Sequence, residues 1–182
     1  MVRADAGHDD WDMTSADPIH RPPPGHRDGP LLICYDGSDD AKHAIMSAAE
    51  LLGDRKALVV TVWQPTADLG TFAGYTATTE MLNFAEFDRA AAEAGGRAAD
   101  EGVRIAKEAG LEAEPVAIKA AGPVWKTIVD TADHCDAAAI VMGSRGLTGV
   151  RSMLLGSVSN AVAHHTERPT LVVHRPSDDH AH

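Results

Sequence analysis

The stretch "AAAIVMGSRGLTGVRSMLLGSVSN", residues 137–160, joins an apolar run to a helical pattern through a segment that contains four glycines and several serines. The run AAAIVM is typical of a parallel strand that is covered on both faces. Helical spacing resumes with Val158 and Val162. Ligands of open α/β sheets bind at the carboxyl ends of strands, and glycines let a ligand approach the backbone closely. The stretch therefore predicts a binding loop between a strand and a helix.

Four further apolar runs predict strands of the same kind: LLICY (31–35), ALVVTV (57–62), EPVAI (114–118) and TLVVH (170–174). Helical patterns separate them, at 41–52 with Ser38 as the N-cap, at 84–109, at 125–132 and at 158–165. The alternation indicates an α/β fold with an open, mostly parallel five-stranded sheet, helices on both faces and right-handed crossovers.

The 182 residues suffice for one domain with length to spare, since domains most often have roughly 100–150 residues. Residues 1–30 contain five of the ten prolines and six aspartates, and almost no aliphatic residue. We expect a disordered, acidic, proline-rich arm there, a folded body over 31–174 and a flexible tail over 175–182. The long polar connection at 63–83 is a lid, a partner surface or a locally disordered segment.

Composition argues against several classes of function. A net charge of −11 opposes nucleic-acid binding, which depends on Lys and Arg that neutralise phosphates. No apolar run approaches the roughly 20 residues of a membrane span, and no signal-peptide pattern opens the sequence. Cys34 and Cys135 have no metal-ligand spacing and are expected to be reduced core residues. We therefore expect a soluble, cytoplasmic protein.

The two ends of the glycine-rich loop suit an anion. Gly143 directly follows the fourth predicted strand, and Gly156 and Ser157 directly precede the last predicted helix. A helix N-terminus carries about half a positive charge and N–H groups that lack partners, which together favour phosphate. Ser144 and Ser157 add hydroxyl donors. The chemistry of the loop therefore predicts a phosphate site.

The spacing Gly143-x2-Gly146-x9-Gly156-Ser157 resembles the G-2x-G-9x-G-S/T signature of the ATP-binding universal stress proteins. The segments LLICYDGSDDAKHAI and LLGSVSNAVAHHTERPTLVVH are similar to that family's opening and closing segments, so the resemblance covers about residues 31–174, with a diverged region near 63–83. It implies a Rossmann-like fold with strand order 3-2-1-4-5. It also implies ATP or a related adenine nucleotide at the loop, and a homodimer formed through the last strand, Thr170 to His174.

The resemblance, taken with the fold that it implies, gives a role to each candidate residue. Backbone amides and hydroxyls for phosphates and ribose come from Gly143, Ser144, Gly146, Gly156, Ser157 and Val158. Asp36 matches the acidic position near the nucleoside, where it accepts a hydrogen bond or helps to hold Mg²⁺. The adenine is lined by Cys34, Tyr35 and Val62, and Met142 borders the ribose. Arg145 and Arg151 lie where they could screen phosphate charge, at positions that the signature leaves open.

Simpler interpretations stand beside these. A glycine-serine segment can be a plain flexible loop, and Asp36 can be a turn or cap residue, because Asp-Gly-Ser is common turn chemistry. No Walker A lysine and no nucleophile elbow is present, so binding without efficient chemistry is favoured. The leading hypothesis is an ATP-binding regulator or sensor of the stress response. The alternatives are a nucleotide-free interaction module and a slow ATPase in which Asp36 places Mg²⁺.

Overall fold

A computed structural model describes residues 28–53, 55–65, 84–147 and 155–175. Most of the predicted N-terminal arm, nearly all of the 63–83 connection, Arg151 and residues 176–182 lie outside these ranges. The predicted disorder of the arm and of the tail therefore remains a prediction.

Strands and helices alternate through the described chain. The strands are β1 (Leu31–Cys34), β2 (Lys56–Trp63), β3 (Glu112–Lys119), β4 (Ala139–Gly143) and β5 (Thr170–Val173). The helices are α1 (Asp39–Leu52), α2 (Phe84–Glu108), α3 (Val124–His134) and α4 (Ser157–His165). None of these helices is long and apolar enough to cross a membrane.

The five strands form one parallel sheet in the order β3-β2-β1-β4-β5. This confirms the predicted fold class and the order that the family resemblance implied. β1 lies in the centre, where Leu31 pairs with Ala57 of β2 and with Ala139 of β4. Because the strands are parallel, the carboxyl ends of β1 and β4 lie side by side.

The ends of all five strands lie within two residues of the prediction, and two of the strands show why the structure differs. β4 begins at Ala139 rather than at 137, because the main-chain N of Ala137 still donates to the carbonyl of Ala132 in the turn that ends α3. β3 is an edge strand, and Glu114 and Pro115 on it are exposed. It is therefore not the doubly covered strand that its apolar run predicted.

The core consists of two layers, one on each face of the sheet. Ile33 and Tyr35 of the β1 segment lie with Ile45 of α1 and Val103 of α2. Leu32, between them in sequence, lies with residues of α3 and α4. Neighbouring residues of a strand face opposite sides, so one continuous apolar run supplies both layers.

The start of α1 follows from local chemistry. The side chain of Ser38 accepts a hydrogen bond from the main-chain N of Ala41 at 3.2 Å, which confirms the predicted N-cap. Asp39 and Asp40 occupy the first turn, where the helix dipole favours negative charge. Asp40 is buried together with Ala41 and Ala44, so it lies on the face of the helix that packs against the sheet.

A buried arginine joins the connection before β5 to the connection before β4. The side chain of Arg168, which precedes β5, is 6% exposed and pairs with Asp133 at 2.9 Å and with Asp136 at 3.2 Å. It also donates to the carbonyl of Ala137. These contacts fix the start of β5 to the turn before β4.

The long helix α2 lies close to the sheet because residue 102 is glycine. A Cβ at Gly102 would lie 2.7 Å from Cγ1 of Val59 and 2.9 Å from Cγ of Tyr35. Gly96, in the same helix, has nothing within 4 Å of that position.

This contrast predicts opposite effects of the same substitution in one helix. Gly102→Ala should lower the free energy of unfolding by about 1–3 kcal/mol, because it overpacks the core. Gly96→Ala should raise it by about 0.5–1 kcal/mol, because alanine loses less backbone entropy than glycine. Urea denaturation of the two variants beside the wild type measures both values, and equal effects would contradict the close approach of α2 to the sheet.

Candidate functional site

A cavity of about 350 Å³ opens at the carboxyl ends of β1 and β4. Eleven of the twelve residues that the sequence proposed for a ligand line it: Cys34, Tyr35, Asp36, Val62, Met142, Gly143, Arg145, Gly146, Gly156, Ser157 and Val158. They come from β1, β2, β4, the glycine-rich loop and the start of α4. The fold therefore brings together residues that are more than 100 positions apart in sequence.

Ser144 is the exception. It is fully buried, and its hydroxyl donates to Oδ2 of Asp40 at 3.0 Å. Its main-chain N donates to the carbonyl of Val173 at 2.8 Å, and its carbonyl accepts from the N of Gly156 at 2.7 Å. The expectation of a hydroxyl donor for phosphate is corrected here, because the protein itself uses the polar groups of Ser144. The residue supports the loop from below.

Tyr35 also differs from its expected role. It borders the cavity, but the residue is 2% exposed and its ring packs against Gly102, in the layer of α1 and α2. Cys34, its neighbour in sequence, packs in the layer of α3 and α4. The alternation of the strand therefore turns the Tyr35 ring away from the surface where an adenine was expected.

Asp36 joins the turn after β1 to the glycine-rich loop. Its Oδ1 accepts from the main-chain N of Ser38 at 3.0 Å, and its Oδ2 accepts from the main-chain N of Leu147 at 3.2 Å. A Cβ at Gly146 would lie 2.6 Å from the same Oδ2. Asp36 is thus a turn residue and a wall of the cavity at once, and glycine at 146 gives its carboxylate room.

A second carboxylate, Asp40, holds the loop from the side of α1. Its Oδ2 accepts from Oγ of Ser144 at 3.0 Å and from Nε of Arg145 at 3.1 Å. A Cβ at Gly143 would lie 2.7 Å from the carbonyl carbon of Asp40 and 2.9 Å from the N of Ala41. Gly143 therefore permits the end of β4 to touch the start of α1, a structural reason for this glycine that is independent of any ligand.

The N-terminus of α4 forms the polar end of the cavity. Gly156 is the N-cap, and within the described residues no side chain caps the helix. Ser157 and Val158, which follow it, line the cavity. The first N–H groups of a helix have no acceptor within the helix and favour an anion. This end of the cavity can therefore bind phosphate or a carboxylate through the backbone.

Another part of the cavity wall is apolar, with Val62, Val124, Ile128 and Met142 among its residues. Burial and, to a smaller extent, the nearby Asp36 carboxylate together raise the pKa of the Cys34 thiol to about 12. The pKa of Tyr35 also lies above its ordinary value, because of burial and the neighbouring Glu101. Both groups stay protonated at neutral pH, so Cys34 is a packing group rather than a nucleophile.

Several residues of this site were not predicted from the sequence. Those that line the cavity without having been proposed are Ala41, Val60, Val124, Ile128, Leu147 and Ser159. Asp40, which fixes Ser144 and Arg145, was assigned only to the first turn of α1. A signal was present, because Asp40 lies four residues before Ala44 and so falls on the apolar stripe of the helix. A carboxylate on such a stripe needs a polar partner from another element.

The sequence model of the universal stress protein family matches residues 29–174. The chain belongs to the universal stress protein family. Among curated relatives, this universal stress protein is 33% identical over 153 residues to "Universal stress protein MJ0531" of Methanocaldococcus jannaschii, a match that covers 82% of this chain and 84% of the relative.

Solved structures share the fold of this universal stress protein. The hypothetical protein MJ0577 superposes with a TM-score of 0.66 at 20% identity, over 84% of this chain and 99% of that one. The universal stress protein from Archaeoglobus fulgidus in complex with dAMP superposes with a TM-score of 0.54 at 24% identity, over 80% of this chain and 97% of that one. At these identities the likeness concerns the fold.

The raised pKa of Cys34 predicts a loss of stability in alkali. In the unfolded chain this thiol loses its proton near pH 9, whereas in the folded chain it keeps the proton until about pH 12. The contribution of this thiol to the free energy of unfolding is therefore fully present below about pH 9. It is lost as the pH rises through this window, because the unfolded state is then favoured. Urea titrations from pH 7 to pH 10.5 should show a smaller decline for Cys34→Ala than for the wild type. Parallel declines would contradict the assignment.

Proposed function

We propose that this universal stress protein binds an adenine nucleotide, ATP, in the cavity between β1, β4 and α4, and acts as a nucleotide-dependent regulator or sensor of the stress response. The observation that carries the proposal is the division of the cavity into an apolar wall and a polar end, where a helix begins that no described side chain caps. Its volume of about 350 Å³ lies in the usual range of small-molecule sites, roughly 300–1,000 Å³.

The apolar wall suits the adenine ring. Val62 of β2 and Met142 of β4 lie on either side of the central strand β1, on which Cys34 lies. A protonated thiol and two aliphatic side chains give a surface on which an aromatic base can pack. Asp36, at the end of β1, borders the same cavity and has carboxylate oxygens that can accept a hydrogen bond from a ribose hydroxyl.

The polar end suits the phosphates. Backbone N–H groups at Gly146, Ser157 and Val158 are the proposed donors, and they need no counter-charge from lysine. Among the described residues, no group of three or more His, Cys, Asp or Glu is arranged to hold a metal ion. Mg²⁺ would therefore arrive with ATP and be coordinated mainly by the phosphates, with Asp36 as a neighbouring carboxylate.

Two further points support binding. The related protein from Archaeoglobus fulgidus, which shares the fold, was crystallised with dAMP, an adenine nucleotide. In this chain, the Asp36 carboxylate already accepts two backbone hydrogen bonds, from Ser38 and Leu147. Those bonds hold it in place as a fixed acceptor at the border of the cavity. The sequence has no Walker A lysine to grip the terminal phosphates of ATP. We therefore propose binding rather than rapid hydrolysis as the activity of the site.

The sharpest test places a negative charge at the start of α4. Ser157 is exposed at the first position of the helix, where an aspartate interacts well with the helix dipole. Ser157→Asp should therefore preserve or raise the melting temperature while it repels phosphate and lowers ATP affinity at least tenfold, about 1.4 kcal/mol. Ser157→Asn, which has a similar shape without the charge, is the matched control and should retain ATP binding.

Thermal shift and calorimetric titration measure both effects. Wild-type protein with ATP at 100 times its dissociation constant should gain about 2.7 kcal/mol of stability. A wild type that neither ATP nor AMP stabilises at millimolar concentration would contradict nucleotide binding. It would favour the alternative, an interaction module of the same fold.

We also propose a homodimer through the edge strand β5. Leu171 and Val172 of β5 are only partly buried, whereas Glu114 and Pro115 protect the other edge, β3. An apolar edge that lacks such protection favours pairing with a second copy.

Lysine substitutions on the two edges test this assembly. Light scattering at micromolar concentration should give a dimer for the wild type and for Ala117→Lys on β3, since that edge is not in the interface. It should give a monomer for Thr170→Lys, because a lysine on an edge strand opposes pairing. A monomeric wild type would contradict the dimer.

A further inference from the structure

A second cavity, also of about 350 Å³, adjoins the proposed nucleotide site. The two cavities share Arg145, Gly146 and Leu147 as a common wall. The second one extends along the start of α1 to Asp39 and ends at Arg175, which follows β5. Two arginines from separate parts of the chain therefore line a space that meets the first cavity at the glycine-rich loop.

Arg145 is held by one of its nitrogens. Its Nε donates to Oδ2 of Asp40 at 3.1 Å, and the same Oδ2 accepts from Oγ of Ser144 at 3.0 Å. The side chain of Arg145 is 28% exposed, and none of the described residues accepts a hydrogen bond from its terminal nitrogens. A guanidinium presents five N–H donors in a rigid fork, so the bond at Nε fixes the group while its outer donors can still meet a phosphate.

Arg175 is held more loosely. Its Nη1 donates to Oδ2 of Asp39 at 2.8 Å, and the two side chains are 41% and 68% exposed. Exposed pairs of this kind contribute little free energy, and a ligand with higher charge can take the place of one partner. Arg175 can therefore turn from the carboxylate to a phosphate at small cost.

We infer that this second cavity is a subsite for the terminal phosphate of the nucleotide, and that Arg145 and Arg175 make the protein prefer ATP to AMP. The inference rests on the proposed function and adds to it the residues that sense the length of the phosphate chain. AMP ends at the N-terminus of α4 and does not reach the second cavity. ATP continues past Gly146, and its terminal phosphate forms charge-assisted hydrogen bonds to the two guanidinium groups.

Calorimetric titrations with ATP and with AMP, at one fixed Mg²⁺ concentration and ionic strength, test the subsite. Wild type should bind ATP about tenfold or more tightly than AMP. Arg175→Gln should remove most of that preference, because it should lower the affinity for ATP and leave the affinity for AMP unchanged. Arg89→Gln is the matched control, because Arg89 lies on α2, is 82% exposed and pairs with Glu93. The Arg89→Gln variant changes the net charge by the same amount and should alter the affinity for neither ATP nor AMP.

Two variants at position 145 separate charge from shape. Arg145→Gln should lower the affinity for ATP more than the affinity for AMP. Arg145→Lys should recover only part of the loss, because lysine restores the charge without the planar fork. Thermal denaturation of each variant shows whether it is folded. Should Arg145→Gln unfold, the exposed Arg175 variant decides the result by itself.

The outcomes distinguish this subsite from nucleotide binding as such. A wild type that binds AMP and ATP with equal affinity overturns the subsite and leaves the proposed nucleotide site intact. The same conclusion follows if Arg175→Gln weakens both nucleotides alike. If neither nucleotide binds, both proposals fail together.

Discussion

The contact between the end of β4 and the start of α1 determines the rest of the site. Gly143 lies so close to Asp40 and Ala41 that a side chain at this position would overlap the backbone of α1. This contact places the side chain of Asp40 beneath the glycine-rich loop, where it binds Ser144 and Arg145. Because main-chain atoms cannot move aside as side chains do, the geometry of the loop is set by the packing of the sheet.

Two carboxylates then connect this framework to the loop above it. Asp40 fixes the beginning of the loop through its hydrogen bond from Ser144. Asp36 accepts a hydrogen bond from the main-chain N of Leu147, three residues further along the loop. Asp36 accepts hydrogen bonds with both carboxylate oxygens and Asp40 accepts with Oδ2, so both side chains hold the loop in place. In the proposed mode of binding, main-chain donors at the start of α4 supply positive potential beside the two arginines, in a chain whose net charge is −11.

Sequence patterns predicted the strands, the helices and most of the cavity because each depends on local spacing. Five short apolar runs separated by helical stripes have few arrangements, and the glycine spacing after Met142 indicated where the loop begins. The pattern was less informative where neighbouring elements decide exposure. β3 was expected to be covered on both faces and is a half-exposed edge strand, since its position in the sheet depends on pairings with distant residues.

The sequence by itself determined the alternation of elements, the N-cap at Ser38, the family resemblance and the set of residues that gather at the strand ends, because these follow from local propensity and from motif spacing. Only the tertiary structure decided which way each side chain faces. It turned the Tyr35 ring into the opposite layer, gave the Ser144 hydroxyl to Asp40, and brought Arg175 beside Asp39, 136 residues away. The physical reason is that the orientation and pairing of side chains depend on the close packing of segments that are distant in the chain. A linear pattern does not show which of these distant segments come into contact.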